Sequence, residues 1–111
     1  MRNISLTFLL LSTLLSADIT RGQSVYKSNC AMCHTIDGRG GLGPDLNMVS
    51  YTRTNAQIAH YAKDPYAMYQ SFGYDANAMP TLPLTDQEIE DVADYIGSLV
   101  KFKKWMIKKE K

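Results

Sequence analysis

Two cysteines, two histidines, one tryptophan and four prolines are all that the 111 residues contain of these types. No multi-disulfide framework can be built from them. A structural zinc site, which wants four ligands, would have to use both cysteines and both histidines in the chain. Long apolar runs are equally scarce: the one present, Ile4 to Leu15, has 12 residues, well short of the roughly 20 that cross a bilayer. Positive charge is thin over most of the length, with five basic residues against ten acidic ones between positions 18 and 100, a net of −5. Nucleic-acid binding is excluded, because the remaining basic residues gather at one end rather than across a face. A phosphate-cradling loop is excluded too, since the glycine-rich stretch follows no strand pattern and precedes no Gly-Lys-Ser/Thr. No nucleophile–base pair points to catalysis, and the length allows one domain, not two.

What is present begins with an address. Met1-Arg2-Asn3 carries positive charge, the apolar run follows, and Ser16-Ala17 leads into Asp18. This is the layout of a signal peptide over residues 1–17, with export to the periplasm as its consequence. Leu15 stands where a second small residue is preferred, so the cleavage site after Ala17 is imperfect. No cysteine follows closely enough to become a lipidated N-terminus. Removal of residues 1–17 leaves 94 residues, a length that buries little core by itself and usually needs a staple.

The staple is legible in Cys30-Ala31-Met32-Cys33-His34. Cys-x-x-Cys-His is the attachment signature of c-type haem. The thiols of Cys30 and Cys33 would add across the haem vinyl groups as thioethers, and His34 would offer its imidazole to the iron from beneath. The competing readings are weaker. A thioredoxin-type dithiol needs a strand–helix–strand setting, which is not visible. Zinc would need His34 and His60 as its other ligands, and a disulfide across so short a loop leaves His34 without a role. The expected cofactor is one covalent haem c. Export agrees with it, because bacteria make these thioethers outside the cytoplasm.

Residues 18–29 read as a helix that leads into this motif, with Gly22, Tyr26 and Cys30 on one face and Val25 beside them. A glycine inside a helix costs about 1 kcal/mol relative to alanine. Close approach by another helix would justify Gly22; fraying near a new N-terminus is the plainer explanation. From Asp37 to Asn47 four glycines predict a loop with positive φ angles. Pro44 stiffens that loop ten residues beyond His34, where a fixed carbonyl could hold the ligand's second ring nitrogen. Spacing alone does not separate that role from a surface turn. A second helix is expected from Thr54, where Thr54-Asn55-Ala56-Gln57 is a capping-box pattern, to a stop at Pro65. A short turn through Tyr66, Met68 and Tyr69 follows, then a loop over 72–78.

Met79-Pro80 comes next. A following proline keeps a residue extended and its backbone stiff, which suits a thioether presented to a metal. Of the six methionines, Met1 is in the signal, Met32 lies inside the haem-binding turn, and Met48, Met68 and Met106 lack a rigid setting. Met79 is therefore the expected sixth iron ligand. Its rival, His60, sits mid-helix, where a partly exposed histidine is the commoner outcome.

The last helix opens on a second capping box, Thr85-Asp86-Gln87-Glu88, with acids in the first turn. Its apolar stripe, Ile89, Val92, Tyr95, Ile96 and Leu99, continues through Phe102 and Met106, so the helix is expected to run on past the compact domain. Residues 101–111 carry six lysines against Glu110, a net of +5. With Trp105 among them they have the make-up of an interfacial basic segment, although a solvated helix end is the safer reading.

Taken in order, these features resemble the small class I cytochromes c of bacteria. The resemblance covers residues 18–100 and rests on Cys30-Ala31-Met32-Cys33-His34, Gly43-Pro44, Met79-Pro80 and a closing helix bearing Tyr95. It implies an all-α cytochrome c fold in which the N- and C-terminal helices cross at Gly22 around one haem, with Tyr95 packed nearby. It also implies that the Pro44 carbonyl holds His34 and that the Met79 sulfur completes the iron shell. The basic tail over 101–111 is not part of the minimal fold. The function implied is not enzymatic: a periplasmic carrier shuttling single electrons between respiratory partner proteins. Two other classes stay open. One is a haem subunit docked permanently in a membrane respiratory complex through the tail; the other is a haem sensor or peroxidase-like protein with a labile Met79.

Overall fold

The structure, a computed structural model, describes residues 19–99; the expected signal peptide and the basic tail lie outside the described residues. All regular structure within them is helical. Helix α1 spans 19–29, a 3-10 turn covers Val49–Tyr51, and then come α2 (Asn55–Lys63), α3 (Pro65–Met68) and α4 (Asp86–Gly97).

Helices α1 and α4 meet at Gly22. A Cβ there would collide with the carbonyl oxygen of Asp91 and come within 2.8 Å of the Tyr95 Cβ, so only a residue with no side chain lets the backbones approach. Two further contacts fix the crossing. The Tyr26 and Tyr95 rings lie 5.7 Å apart at 46°. The buried Asp91 carboxylate accepts from Arg21 Nε at 3.0 Å and from Gln87 Nε2 at 2.9 Å. Tyr26, Ile58, Val92, Ala93, Tyr95 and Ile96 form the core, with Cys30, Ile36, Leu46 and Leu99 packed on its edge. Helix α4 supplies four of those six core residues, Val92, Tyr95 and Ile96 from its apolar stripe and Ala93 beside it, as a half-buried helix must.

Both capping boxes form. Thr54 accepts from the Gln57 amide at 3.1 Å while Gln57 accepts from Thr54 at 2.8 Å, and Thr85 and Glu88 repeat the arrangement on α4. Pro65 does more than end α2. It occupies the first turn of α3, where its missing N–H costs nothing, and Asp64 caps that turn by accepting from the Ala67 amide at 3.2 Å. The expected continuation of the last helix through Phe102 and Met106 lies outside the described residues. Within the described residues α4 ends at Gly97, with Ser98 as its C-cap: the Ser98 amide reaches the Asp94 and Tyr95 carbonyls, and its hydroxyl donates to Tyr95 O at 2.6 Å. A side chain that satisfies the last carbonyls locally competes with another turn of helix.

Gly22→Ala puts a methyl group into the Asp91 carbonyl. Overpacking of this kind costs about 1–3 kcal/mol. The haem-loaded protein should therefore unfold at a clearly lower urea concentration, and an unchanged midpoint would show that the helices do not meet there.

Candidate functional site

The site is built outward from the end of α1. The Cys30 and Ala31 amides both donate to Tyr26 O, at 2.8 and 3.0 Å, and those of Cys33 and His34 both donate to Cys30 O, at 3.1 and 2.9 Å. The chain thus coils into a tight turn that carries two half-buried free thiols and the imidazole. Burial, reinforced by Cys33, pushes the Cys30 thiol up, so it is kept in its protonated form. Beneath the turn, the Tyr26 hydroxyl donates to the His34 carbonyl at 3.1 Å. Burial first, then the neighbouring Cys30, pushes Tyr26 up to about 12, which keeps that hydroxyl a donor.

The imidazole is oriented by the glycine-rich loop. His34 Nδ1 lies 2.7 Å from the Pro44 carbonyl oxygen. A carbonyl has no proton to give, so Nδ1 carries the hydrogen and Nε2 is left with its lone pair. Gly43 lies flat against the ring: a Cβ there would stand 2.8 Å from Nδ1 and 3.0 Å from Nε2. Its own amide donates to Cys33 O at 2.7 Å, tying the loop back to the turn. Only two of the loop's four glycines, Gly38 and Gly40, have positive φ. Gly41 and Gly43 are required by close approach to Cys33 and His34, a reason that spacing alone does not reveal.

Asp45, which the sequence does not advertise, is the hub of this loop. Its carboxylate accepts from Thr35 Oγ1 at 2.6 Å, from the Gly38 amide at 2.7 Å and from the Asn47 amide at 2.8 Å. The Thr35 hydroxyl in turn accepts from the Gly40 amide at 2.7 Å. With these bonds made, the Pro44 carbonyl next to Asp45 is held by a braced backbone.

Met79 is half-buried on the long segment between α3 and α4. Asn77 clasps its backbone, donating from Nδ2 to Met79 O at 3.0 Å and accepting the Met79 amide at Oδ1 at 3.1 Å. Upstream the segment is anchored at Phe72, whose ring lies 4.0 Å under the Arg53 guanidinium and 4.8 Å from the Tyr61 ring. Arg53 also donates to Phe72 O at 3.0 Å. His60 is exposed on α2. Among the described residues no group of three or more His, Cys, Asp or Glu side chains is placed to hold a metal ion.

This donor set fits a c-type haem. Two thiols share one turn, an imidazole has its outer nitrogen occupied and its inner one available, and a glycine is flattened against the ring where any side chain would tilt it. Gly43→Ala would force the His34 ring aside, at a cost of about 1–3 kcal/mol in the stability of the haem-loaded protein. The separation of Nδ1 from Pro44 should appear in nuclear magnetic resonance as faster exchange of the ring proton; an unchanged exchange rate would remove Gly43 from this role.

The cytochrome c family model matches residues 19–100. A cytochrome c-553-like protein of Synechocystis sp. is 32% identical over 85 residues, covering 77% of this chain and 72% of the relative. Cytochrome c6 of Thermosynechococcus vestitus is 34% identical over 95 residues, covering 84% of this chain and 80% of its own. Cytochrome c of Rhodothermus marinus shares the fold, with a TM-score of 0.66 over 78% of this chain and 79% of that one, at 21% identity. With helices crossing at Gly22, a Cys-x-x-Cys-His turn beside Pro44 and this span of similarity, the chain belongs to the cytochrome c family and is a monohaem electron-transfer protein.

Proposed function

We propose that the chain carries single electrons between redox partner proteins in the periplasm, with Cys30 and Cys33 bonded to the haem and with His34 Nε2 and the Met79 sulfur as axial ligands. The observation that carries this reading is the 2.7 Å contact from His34 Nδ1 to the Pro44 carbonyl, which leaves one nitrogen, in one orientation, for a metal. Haem c, when bound, supplies a one-electron ferric/ferrous couple. The residues of the chain decide how that couple behaves. The Met79 thioether, a soft donor, favours the ferrous state and raises the potential relative to a second histidine. His34 and Met79 together fill both axial positions and leave no place for oxygen or peroxide. Fixed by Pro44 on one side and by a stiff Met79-Pro80 backbone on the other, the two ligands need little rearrangement when the charge changes.

The charge distribution supports a second role for the basic tail. Within the described residues three of the five basic side chains face acids: Arg21 faces Asp91 at 3.0 Å, Arg39 faces Asp37 at 2.8 Å and Lys63 faces Asp86 at 3.3 Å. The six lysines of 101–111 are then the densest positive charge in the sequence and the candidate contact for a partner, whether an electron-transfer protein, a membrane complex or a membrane surface. No helix of the described residues is long and apolar enough to cross a membrane.

Absorption spectra of the exported protein in both redox states test the ligation. Ferric protein should show the methionine–iron charge-transfer band at the red end of the spectrum, and Met79→Ala should abolish it. A high-spin ferric spectrum that Met79→Ala leaves unchanged would favour a sensor or peroxidase-like protein and remove Met79 from the iron. Deleting residues 101–111 should leave the spectrum intact and release any membrane-associated fraction; an unchanged fraction would show that the tail is not the point of attachment.

A further inference from the structure

We infer that Asn77 is a positioning residue for the sixth ligand: its carboxamide sets how firmly Met79 is presented to the iron. The inference rests on the reading of Met79 as that ligand. Its basis is the paired contact already described, in which one side chain binds both polar groups of a single residue's backbone, Nδ2 to Met79 O at 3.0 Å and Oδ1 to Met79 N at 3.1 Å. Little else holds this stretch. Among the described residues the backbone-to-backbone bonds of the segment lie at its ends, from the Tyr74 amide to Tyr69 O and from the Leu84 amide to Leu82 O, and none reaches residues 75–81. Pro80 narrows the Met79 dihedrals but has no N–H to anchor. The clasp is half-buried, which limits competition from water.

The chemistry requires an amide. Met79 presents one donor and one acceptor, and a carboxamide answers with one acceptor and one donor. An aspartate keeps the bond to the Met79 amide but sets a carboxylate against the Met79 carbonyl. A serine keeps a weaker version of the first bond alone. An alanine keeps neither. Without the clasp, the backbone of Met79 samples more conformations, and those in which the sulfur has left the iron gain population. An added ligand that needs the vacated position then binds in proportion to that population.

Cyanide binding to the full-length ferric holoprotein reads this directly. Asn77→Ala should bind cyanide on the order of tenfold faster than the parent, with the methionine–iron band still present at neutral pH. That band should disappear at a lower pH than in the parent, and Asn77→Ser should fall between the two. Asp75→Ala, an exposed change in the same loop, should leave the rate unaltered. Should Asn77→Ala fail to retain haem, Asn77→Ser carries the comparison. A parent-like rate in both Asn77 variants, alongside fast binding in Met79→Ala, would overturn the role of Asn77 while leaving Met79 as the ligand. Equal rates in the parent and Met79→Ala would overturn the ligand reading itself, and this inference with it.

Discussion

The hydrogen bond from the His34 ring to the Pro44 carbonyl is the constraint on which the rest of the site depends. It selects a tautomer, sets the ring plane and leaves Nε2 as the donor for the proposed iron bond. A carbonyl can do this only if it stays put. Pro44 contributes a fixed φ, Asp45 gathers the flanking amides and a hydroxyl, and the Gly43 amide returns to Cys33. The loop is therefore an orienting device that uses its small residues where the ring comes close.

The same logic of close approach organises the helices. Gly22 lets α1 lie against the backbone of α4, and that contact brings Tyr26 beside Tyr95 and Arg21 beside Asp91. Tyr26 then joins the helix crossing to the site, since its ring belongs to the core while its hydroxyl reaches the His34 carbonyl. The geometry of the haem-binding turn is thus inherited from the packing of the first and last helices, which are far apart in the chain.

Much of this was legible in the residues themselves. The capping boxes at Thr54 and Thr85 and the α4 stripe from Ile89 to Ile96 follow from spacing, because each reflects the local geometry of a helix, whereas the close approach at Gly22 was implied by the resemblance to the class I cytochromes c and not by spacing. Asn77 and Asp45 were not legible. A side chain that binds backbone two residues away leaves no periodic trace, and asparagine and aspartate are common in any loop. The apolar stripe runs past Leu99, whereas α4 ends at Gly97 with Ser98 bonded to its last carbonyls; Phe102 and Met106, on which the expected continuation falls, lie outside the described residues. The loop glycines were half legible: two supply positive φ, whereas Gly41 and Gly43 answer to contacts that exist only once the loop has folded back.

The two proposed ligands differ in how they are secured. His34 is held through its ring, by a bond that directly sets the donor atom. The hydrogen bonds that hold Met79 among the described residues are to its backbone, so the sulfur itself depends on the stiffness of the segment around Asn77 and Pro80. The imidazole side is the anchor and the sulfur side the adjustable one. The most direct test of this account is to locate the ring proton of His34 in the haem-loaded ferrous protein by nitrogen-15 magnetic resonance. The account predicts a slowly exchanging proton bonded to Nδ1 and none on Nε2; a proton on Nε2, or one on Nδ1 that exchanges freely with water, would contradict it.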